Sequence, residues 1–162
     1  MHYQIRQALP EDKNILCALL PRLAAFDVPD GRNPDDLWLG DEQTLLKWFA
    51  GDAPNILVHV ATSNAPTSGN GEILGLTMVS LREELLSHEP SAHLEAIVVT
   101  DAAAGQGIGK ALMANAEEKA WAAGAKSMSL HVFSNNHRAR HLYARTGYDE
   151  ELIRCYKRLN PT

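Results

Sequence analysis

Residues 98–111 read Val-Val-Thr-Asp-Ala-Ala-Ala-Gly-Gln-Gly-Ile-Gly-Lys-Ala. A β-branched run passes into three closely spaced glycines and then straight into a helix-forming segment. Upstream, residues 93–99 (His-Leu-Glu-Ala-Ile-Val-Val) have the composition of a strand, and downstream, residues 111–123 (Ala-Leu-Met-Ala-Asn-Ala-Glu-Glu-Lys-Ala-Trp-Ala-Ala) have high helix propensity throughout. A strand therefore ends where a helix begins. Gly105, Gly107 and Gly109 let the backbone come close to a ligand, and the first-turn N–H groups of the helix have no intrahelical partner. With the positive end of the helix dipole added, the spot suits a phosphate or diphosphate.

The spacing sorts among phosphate loops. The dinucleotide pattern Gly-x-Gly-x-x-Gly needs glycine at Lys110 or Leu112 and fails on both registers. A Walker A loop fails as well, because Ala104 stands at its first glycine and Ala111 follows Lys110 where a Mg²⁺-binding hydroxyl belongs. Residues 104–109 read instead as x-x-x-Gly-x-Gly. A second segment follows one helix and one strand-like run (residues 127–133) later. Residues 134–148 contain Asn-x-x-Ala-x-x-x-Tyr-x-x-x-Gly-Tyr at Asn136, Ala139, Tyr143, Gly147 and Tyr148. Asn136 suits a helix cap, Gly147 a residue just past the helix end, and Tyr148 the start of a strand.

In this order and spacing the two segments resemble motifs A and B of the GNAT superfamily of acetyl-CoA-dependent N-acetyltransferases. The resemblance covers residues 72–159 well and the first seventy or so only in the order of strands and helices. It implies acetyl-CoA as co-substrate and no metal. The diphosphate would lie on Gly105, Gln106, Gly107, Ile108, Gly109 and Lys110, and the pantetheine arm along Ile97, Val98 and Val99, with Asn136 and Tyr143 also at the coenzyme. It further implies a bulge within residues 97–99 that turns a backbone N–H toward the thioester carbonyl, and Tyr143 as the acid that protonates the departing thiolate. Homodimers are common in the superfamily. One position departs from the pattern: Ala104 replaces the usual Arg or Gln, removing a side-chain contact to the phosphates worth about 1 kcal/mol.

Length and composition agree with a small enzyme. A chain of 162 residues, 45% of them hydrophobic, makes one domain over residues 1–162 with room for a real core. No run is long and apolar enough for a membrane span, and the start lacks an apolar signal region, so a cytoplasmic protein is expected. A net charge of −5 argues against nucleic acid as a partner. Cys17 and Cys155 are too far apart in sequence to form a Cys-x-x-Cys pair and should stay reduced. His137 and His141 share a helical face but stand among Arg138, Arg140 and Arg145 with no third ligand nearby, which disfavours a metal. Those arginines make either a solvated face or a neighbourhood for coenzyme phosphates.

Strand and helix signals alternate along the chain. A strand over residues 3–8 leads to a helix from Pro10 with an apolar stripe of Ile15, Leu16, Leu19, Leu20 and Leu23, which Pro21 should kink or end. A turn-rich stretch over residues 27–34 follows, then a helix with Asp41 as N-cap candidate. Residues 55–62 and 72–81 read as strands joined by a polar connection over residues 63–71. After the two motif segments, residues 153–159 should close the sheet. The order β-α-α-β-β-β-α-β-α-β is the GNAT arrangement: an α/β (mixed-sheet) fold with helices on both faces.

The chemistry follows from amide formation. A primary amine with a pKa near ~10 is protonated at neutral pH and must lose a proton before its lone pair attacks a thioester. Glu95, an acid inside an apolar strand, is the first candidate base, and regular alternation would point it the same way as Ile97 and Val99. His131, on the next strand, is the second. Three functions stay open: acetylation of a small-molecule amine, to which the acidic residues Asp27, Asp30, Asp35, Asp36, Asp41 and Glu42 would be favourable; acetylation of a protein N-terminus or lysine; and a non-catalytic acyl-CoA sensor, which the Ala104 departure would suit. The acceptor site should be built by the N-terminal helices and loops.

Overall fold

The computed structural model describes residues 2–64 and 71–160. One mixed sheet has the strand order β1 (Tyr3–Gln7), β2 (Ile56–Ser63), β3 (Ile73–Glu83), β4 (Pro90–Val99) and β5 (Met128–Leu130). The first four strands are antiparallel neighbours, whereas β5 runs parallel to β4. A parallel neighbour needs a crossover, and α3 (Ile108–Ala122) supplies it. Its buried Ile108, Leu112, Met113, Ala116 and Ala120 recur at helical spacing and lay one face on the sheet.

α3 and α4 (His137–Arg145) cover one side, where Val79, Leu94, Met113 and Ala116 form a buried cluster joined by Leu142 and Tyr143. α1 (Lys13–Leu19) and α2 (Leu39–Phe49) cover the other, where Leu16, Leu20 and Leu45 pack on Val58, Met78, Ala96 and Val98. Covered on both sides, β3 is buried without interruption from Ile73 to Ser80, so its sequence reads as a continuous run and not an alternating one. The mixed sheet with helices on both faces is the expected fold.

Several local expectations are corrected. The helix from Pro10 divides into a 3-10 turn (Pro10–Asp12), α1, and a second 3-10 turn (Leu20–Ala24) that contains Pro21. Ile15 is 51% exposed and does not belong to the core stripe. Asp41 is not an N-cap. A 3-10 turn over Pro34–Leu37, capped by Asn33 Oδ1 accepting from the Asp35 N–H at 3.1 Å, feeds directly into α2, so Asp41 falls inside the first helical turn. The strand expected over residues 127–133 is only Met128–Leu130, which leaves His131 beyond it. Residues 153–159 form no strand, and Tyr148 begins none. Tyr148 is held to α3 by its hydroxyl donating to Glu117 Oε1 at 2.9 Å, and Glu150 is held to α4 by Arg140, so the chain is drawn onto the helices before it reaches the short β5 edge. The polar connection over residues 63–71 lies mostly outside the described residues.

Candidate active site

β5 pairs with β4 only at Ala92, His93 and Leu94. From Glu95 onward β4 pairs with no strand on that side among the described residues, so the two strands part along residues 95–99. The point of parting coincides with a bulge. The β3 register runs Thr77 to Ile97 and Met78 to Ala96, but then Val79 to Leu94, which leaves Glu95 as the extra residue. This corrects the expected bulge within residues 97–99, where pairing is regular.

The bulge also changes which way Glu95 points. Leu94 and Ile97 belong to the α3 side and Ala96 to the α1/α2 side. Glu95 Oε1 accepts a hydrogen bond from Ser80 Oγ at 2.6 Å. Ser80 itself alternates with Val79, so it lies on the α1/α2 side. Glu95 therefore faces α2, not the way Ile97 and Val99 face. Its Oε1 is also ion-paired with Arg82, whose Nε donates to Ser80 Oγ at 3.1 Å.

Two histidines and an aspartate share that side. His93, 6% exposed, places Nδ1 2.8 Å from Ser129 Oγ on β5, and its ring lies 4.8 Å from that of the exposed His131. Burial, with the Arg82 guanidinium nearby, holds the His93 imidazole down at about 4. Trp38, just before α2, and Leu45, Trp48 and Phe49 on it line the core, and Asp41 sits one turn before Leu45 on the same face. Burial, then the charge of Glu95, push the Asp41 carboxyl up to about 7.

Beyond residues 95–99 lies the glycine loop. Gly105 and Gly107 have φ of +74° and +78°, a region costly to residues with a Cβ, and nothing lies within 4 Å of where a Cβ would stand on either. Gly107 is the α3 N-cap and carries no side-chain cap. The first helical bond runs from the Ala111 N–H to the Gly107 carbonyl at 3.1 Å, so the N–H groups of Ile108, Gly109 and Lys110 precede any i−4 partner. An uncapped start to a fifteen-residue helix, beside open space, fits an anionic diphosphate. Gln106 Nε2 donates to the Ala102 carbonyl at 2.9 Å, so it does not replace the side chain missing at Ala104.

α4 faces the same opening. Leu142 packs 3.5 Å from the Cβ position of Gly109, which brings the helix against the start of α3. Tyr143, half-buried, meets the Tyr148 ring edge-on at 6.2 Å, and burial pushes its phenol up to about 12. Asn136 caps α4, its Oδ1 accepting from the Ala139 N–H at 3.4 Å. Of the nearby arginines, Arg140 is paired with Glu150, whereas the charge of Arg138 reaches Asp101 at the loop.

The sequence reading missed four of these residues. Arg22 donates from Nε to the Val99 carbonyl at 3.1 Å and clamps the Asp101 carboxylate with both Nη atoms, tying the N-terminal region to the end of β4. Nothing local to Arg22 signals this, since the contact spans 77 residues. Ser80, Arg82 and His93 have a weak signal: His93 is two residues before Glu95, so strand alternation alone puts both on one side. Among the described residues, no group of three or more His, Cys, Asp or Glu is arranged to hold a metal ion.

Comparison with known proteins agrees with this geometry. The chain is 29% identical over 160 residues to the aminoalkylphosphonate N-acetyltransferase of Salmonella typhimurium, covering 96% of this chain and 91% of that protein. A solved structure of the aminoglycoside N-acetyltransferase AAC(6')-Iy with CoA superposes with a TM-score of 0.71 at 20% identity, covering 97% of this chain and 95% of that one. The ribosomal-protein-alanine N-acetyltransferase of Brucella melitensis biovar Abortus 2308 superposes with a TM-score of 0.68 at 18% identity, covering 98% and 100%. At those identities the two structures establish a shared fold. The model of the acetyltransferase (GNAT) family matches residues 22–148, and the chain belongs to that family.

Proposed function

We propose that this N-acetyltransferase moves the acetyl group of acetyl-CoA onto the primary amine of a small molecule, by direct attack while both are bound. The observation that carries the reading is Glu95, turned by the β4 bulge toward α2 at the point where β5 departs. Its Oε2 is the base that takes a proton from the acceptor ammonium. Oε1, engaged by Ser80 and Arg82, fixes the carboxylate. His131, exposed beyond the end of β5 with its ring 4.8 Å from that of His93, is the second candidate. Tyr143 returns a proton to the coenzyme sulfur as the C–S bond breaks, and Ile97, Val98 and Val99 align the pantetheine by their backbone.

The acceptor is an amine offered to an acidic wall. Asp41 feels the charge of Glu95, whose Oε1 is already paired with Arg82, so the two acids together offer negative charge to an incoming ammonium. A relative named for aminoalkylphosphonates supports a small acceptor, including one that carries an anion beside its amine. A homodimer fits the exposed run of Leu152, Ile153, Tyr156 and Leu159, which carries Arg154, Lys157 and Arg158 in a chain of net charge −5. The test is thiol release from acetyl-CoA across aminoalkylphosphonates, polyamines, aminoglycosides and peptides. Turnover of small amines supports the reading, turnover of peptides alone replaces it with a protein acetyltransferase, and tight coenzyme binding without turnover replaces it with a sensor.

A further inference from the structure

We propose that Arg82 is an anion subsite for the acceptor: with Glu95 it forms a bipolar receptor for a short zwitterion, an amine joined through a short aliphatic spacer to a phosphonate or carboxylate. The inference rests on Glu95 as the base in the reading above, and it names the class of amine that the reading leaves open.

The Arg82–Glu95 pair leaves part of each group uncommitted. Arg82 uses the side-on edge of its guanidinium within the protein, Nε donating to Ser80 Oγ at 3.1 Å and Nη2 to Glu95 Oε1. The end-on edge, Nη1 with the second N–H of Nη2, has no acceptor among the described residues, and the side chain is 45% exposed. Two parallel N–H groups in one plane match the paired oxygens of a carboxylate or phosphonate. On Glu95, Ser80 and Arg82 both meet Oε1, and Oε2 has no partner among the described residues. A free carboxylate oxygen and a free guanidinium edge therefore stand side by side. An ion pair this exposed adds little to stability, so bracing the fold does not account for it.

The surroundings sort the two charges. Asp41 on α2 feels the charge of Glu95, which adds negative potential where an ammonium would sit. His93 feels both Arg82 and Glu95, but burial keeps its imidazole neutral, so it adds no second cation. Arg82 follows Ser80 by two residues on β3 and so lies on the same side of the sheet as Glu95. An ammonium on Oε2 and an oxyanion on Nη1 are both satisfied there, whereas a diamine would bring a second cation against Arg82. Because Arg82 and Glu95 are in contact, the spacer has to be short. An anion on a long chain overshoots the guanidinium.

The test compares kcat/KM for aminoethylphosphonate and for β-alanine with that for n-propylamine, in the native chain, in Arg82→Gln and in Arg82→Lys. The native chain should prefer at least one of the anionic acceptors over propylamine by about thirtyfold, and aminohexylphosphonate should lose that preference. Arg82→Gln should bring the preference to within about threefold, whatever common loss follows from removing a partner of Oε1. Arg82→Lys, a cation without the planar edge, should retain an intermediate preference. A calorimetric Kd for acetyl-CoA within about twofold of native in each variant shows that the fold is intact. The ratio isolates the subsite, since a residue that only braced Glu95 would lower both kinds of acceptor by one factor. A native chain that turns over amines without preferring the anionic ones, or an Arg82→Gln chain that keeps the preference, overturns the subsite and leaves the base in place. A native chain that releases no thiol with any amine removes the underlying reading and the subsite with it.

Discussion

Ser80 Oγ donates to Glu95 Oε1 at 2.6 Å across the β3–β4 pair, at the one place where the register of that pair slips. The bond fixes the carboxylate on the α2 side of the sheet. Replacing Glu95 by Gln keeps its size and removes its basicity, so kcat should fall by about two orders of magnitude with coenzyme affinity nearly unchanged. Ser80→Ala should cost about fivefold, the worth of one hydrogen bond to a group that keeps its ion pair. Steady-state rates at saturating acetyl-CoA decide this, and a fully active Glu95→Gln passes the role of base to another group.

Tyr143 is the proposed acid, and burial keeps its phenol protonated up to about 12. Tyr143→Phe should lower kcat by about two orders of magnitude while the coenzyme still binds. In the native chain no loss of kcat below pH ~10 should trace to this residue, so the basic limb of the Tyr143→Phe profile should keep the native midpoint. Full activity in the variant would remove Tyr143 from the mechanism.

Asp41 should make stability depend on pH. Its folded pKa of about 7 stands above the unfolded value. A carboxyl raised in this way contributes its full stabilisation below the unfolded pKa of ~3.9 and loses it as pH rises through the folded one. Asp41→Asn, which stays neutral, should therefore gain about 1–2 kcal/mol over the native chain in going from pH 4 to pH 8, a figure reduced for partial solvent screening. Urea melts of both proteins at the two pH values measure it, and an equal difference at both would show that Asp41 titrates normally.

Gly107 combines a left-handed φ of +78° with open space around its Cβ position. Gly107→Ala should thus cost about 1 kcal/mol through backbone strain alone, with no clash, lowering Tm by roughly 2–4 °C. Because the strain falls on the residue that starts α3, coenzyme affinity should fall as well. A variant with native Tm and native affinity would mean that the loop does not need a left-handed residue there.

The side proposed for the coenzyme has the more legible local structure. Gly105, Gly107 and Gly109 between a β-branched run and an alanine-rich helix leave few backbone solutions, and Asn136, Tyr143 and Gly147 fall at fixed offsets at the start of, within and just past one helix, so short-range spacing carries both segments. The acceptor side is built otherwise. The direction of Glu95 depends on a bulge that shifts the β3–β4 register by one residue, and no residue type at Leu94 or Ala96 announces it. Asp41 looked like a helix cap because the 3-10 turn begun by Asn33 and Pro34 was not anticipated, and Arg22 reaches Val99 across most of the fold. Residues 153–159 come where the order of elements calls for a closing strand, yet Tyr148 and Glu150 anchor the preceding chain to α3 and α4, and Ile153 is left 92% exposed.

The claim on which the account turns is that the uncapped N–H groups of Ile108, Gly109 and Lys110 take the diphosphate of coenzyme A. Calorimetric titration of acetyl-CoA into the native chain and into Gly107→Asp, which sets a negative charge at that helix start, tests it most directly. The account predicts saturable binding at one site per native chain and its loss in the variant. Absence of binding to the native chain, or equal binding by both proteins, would contradict it.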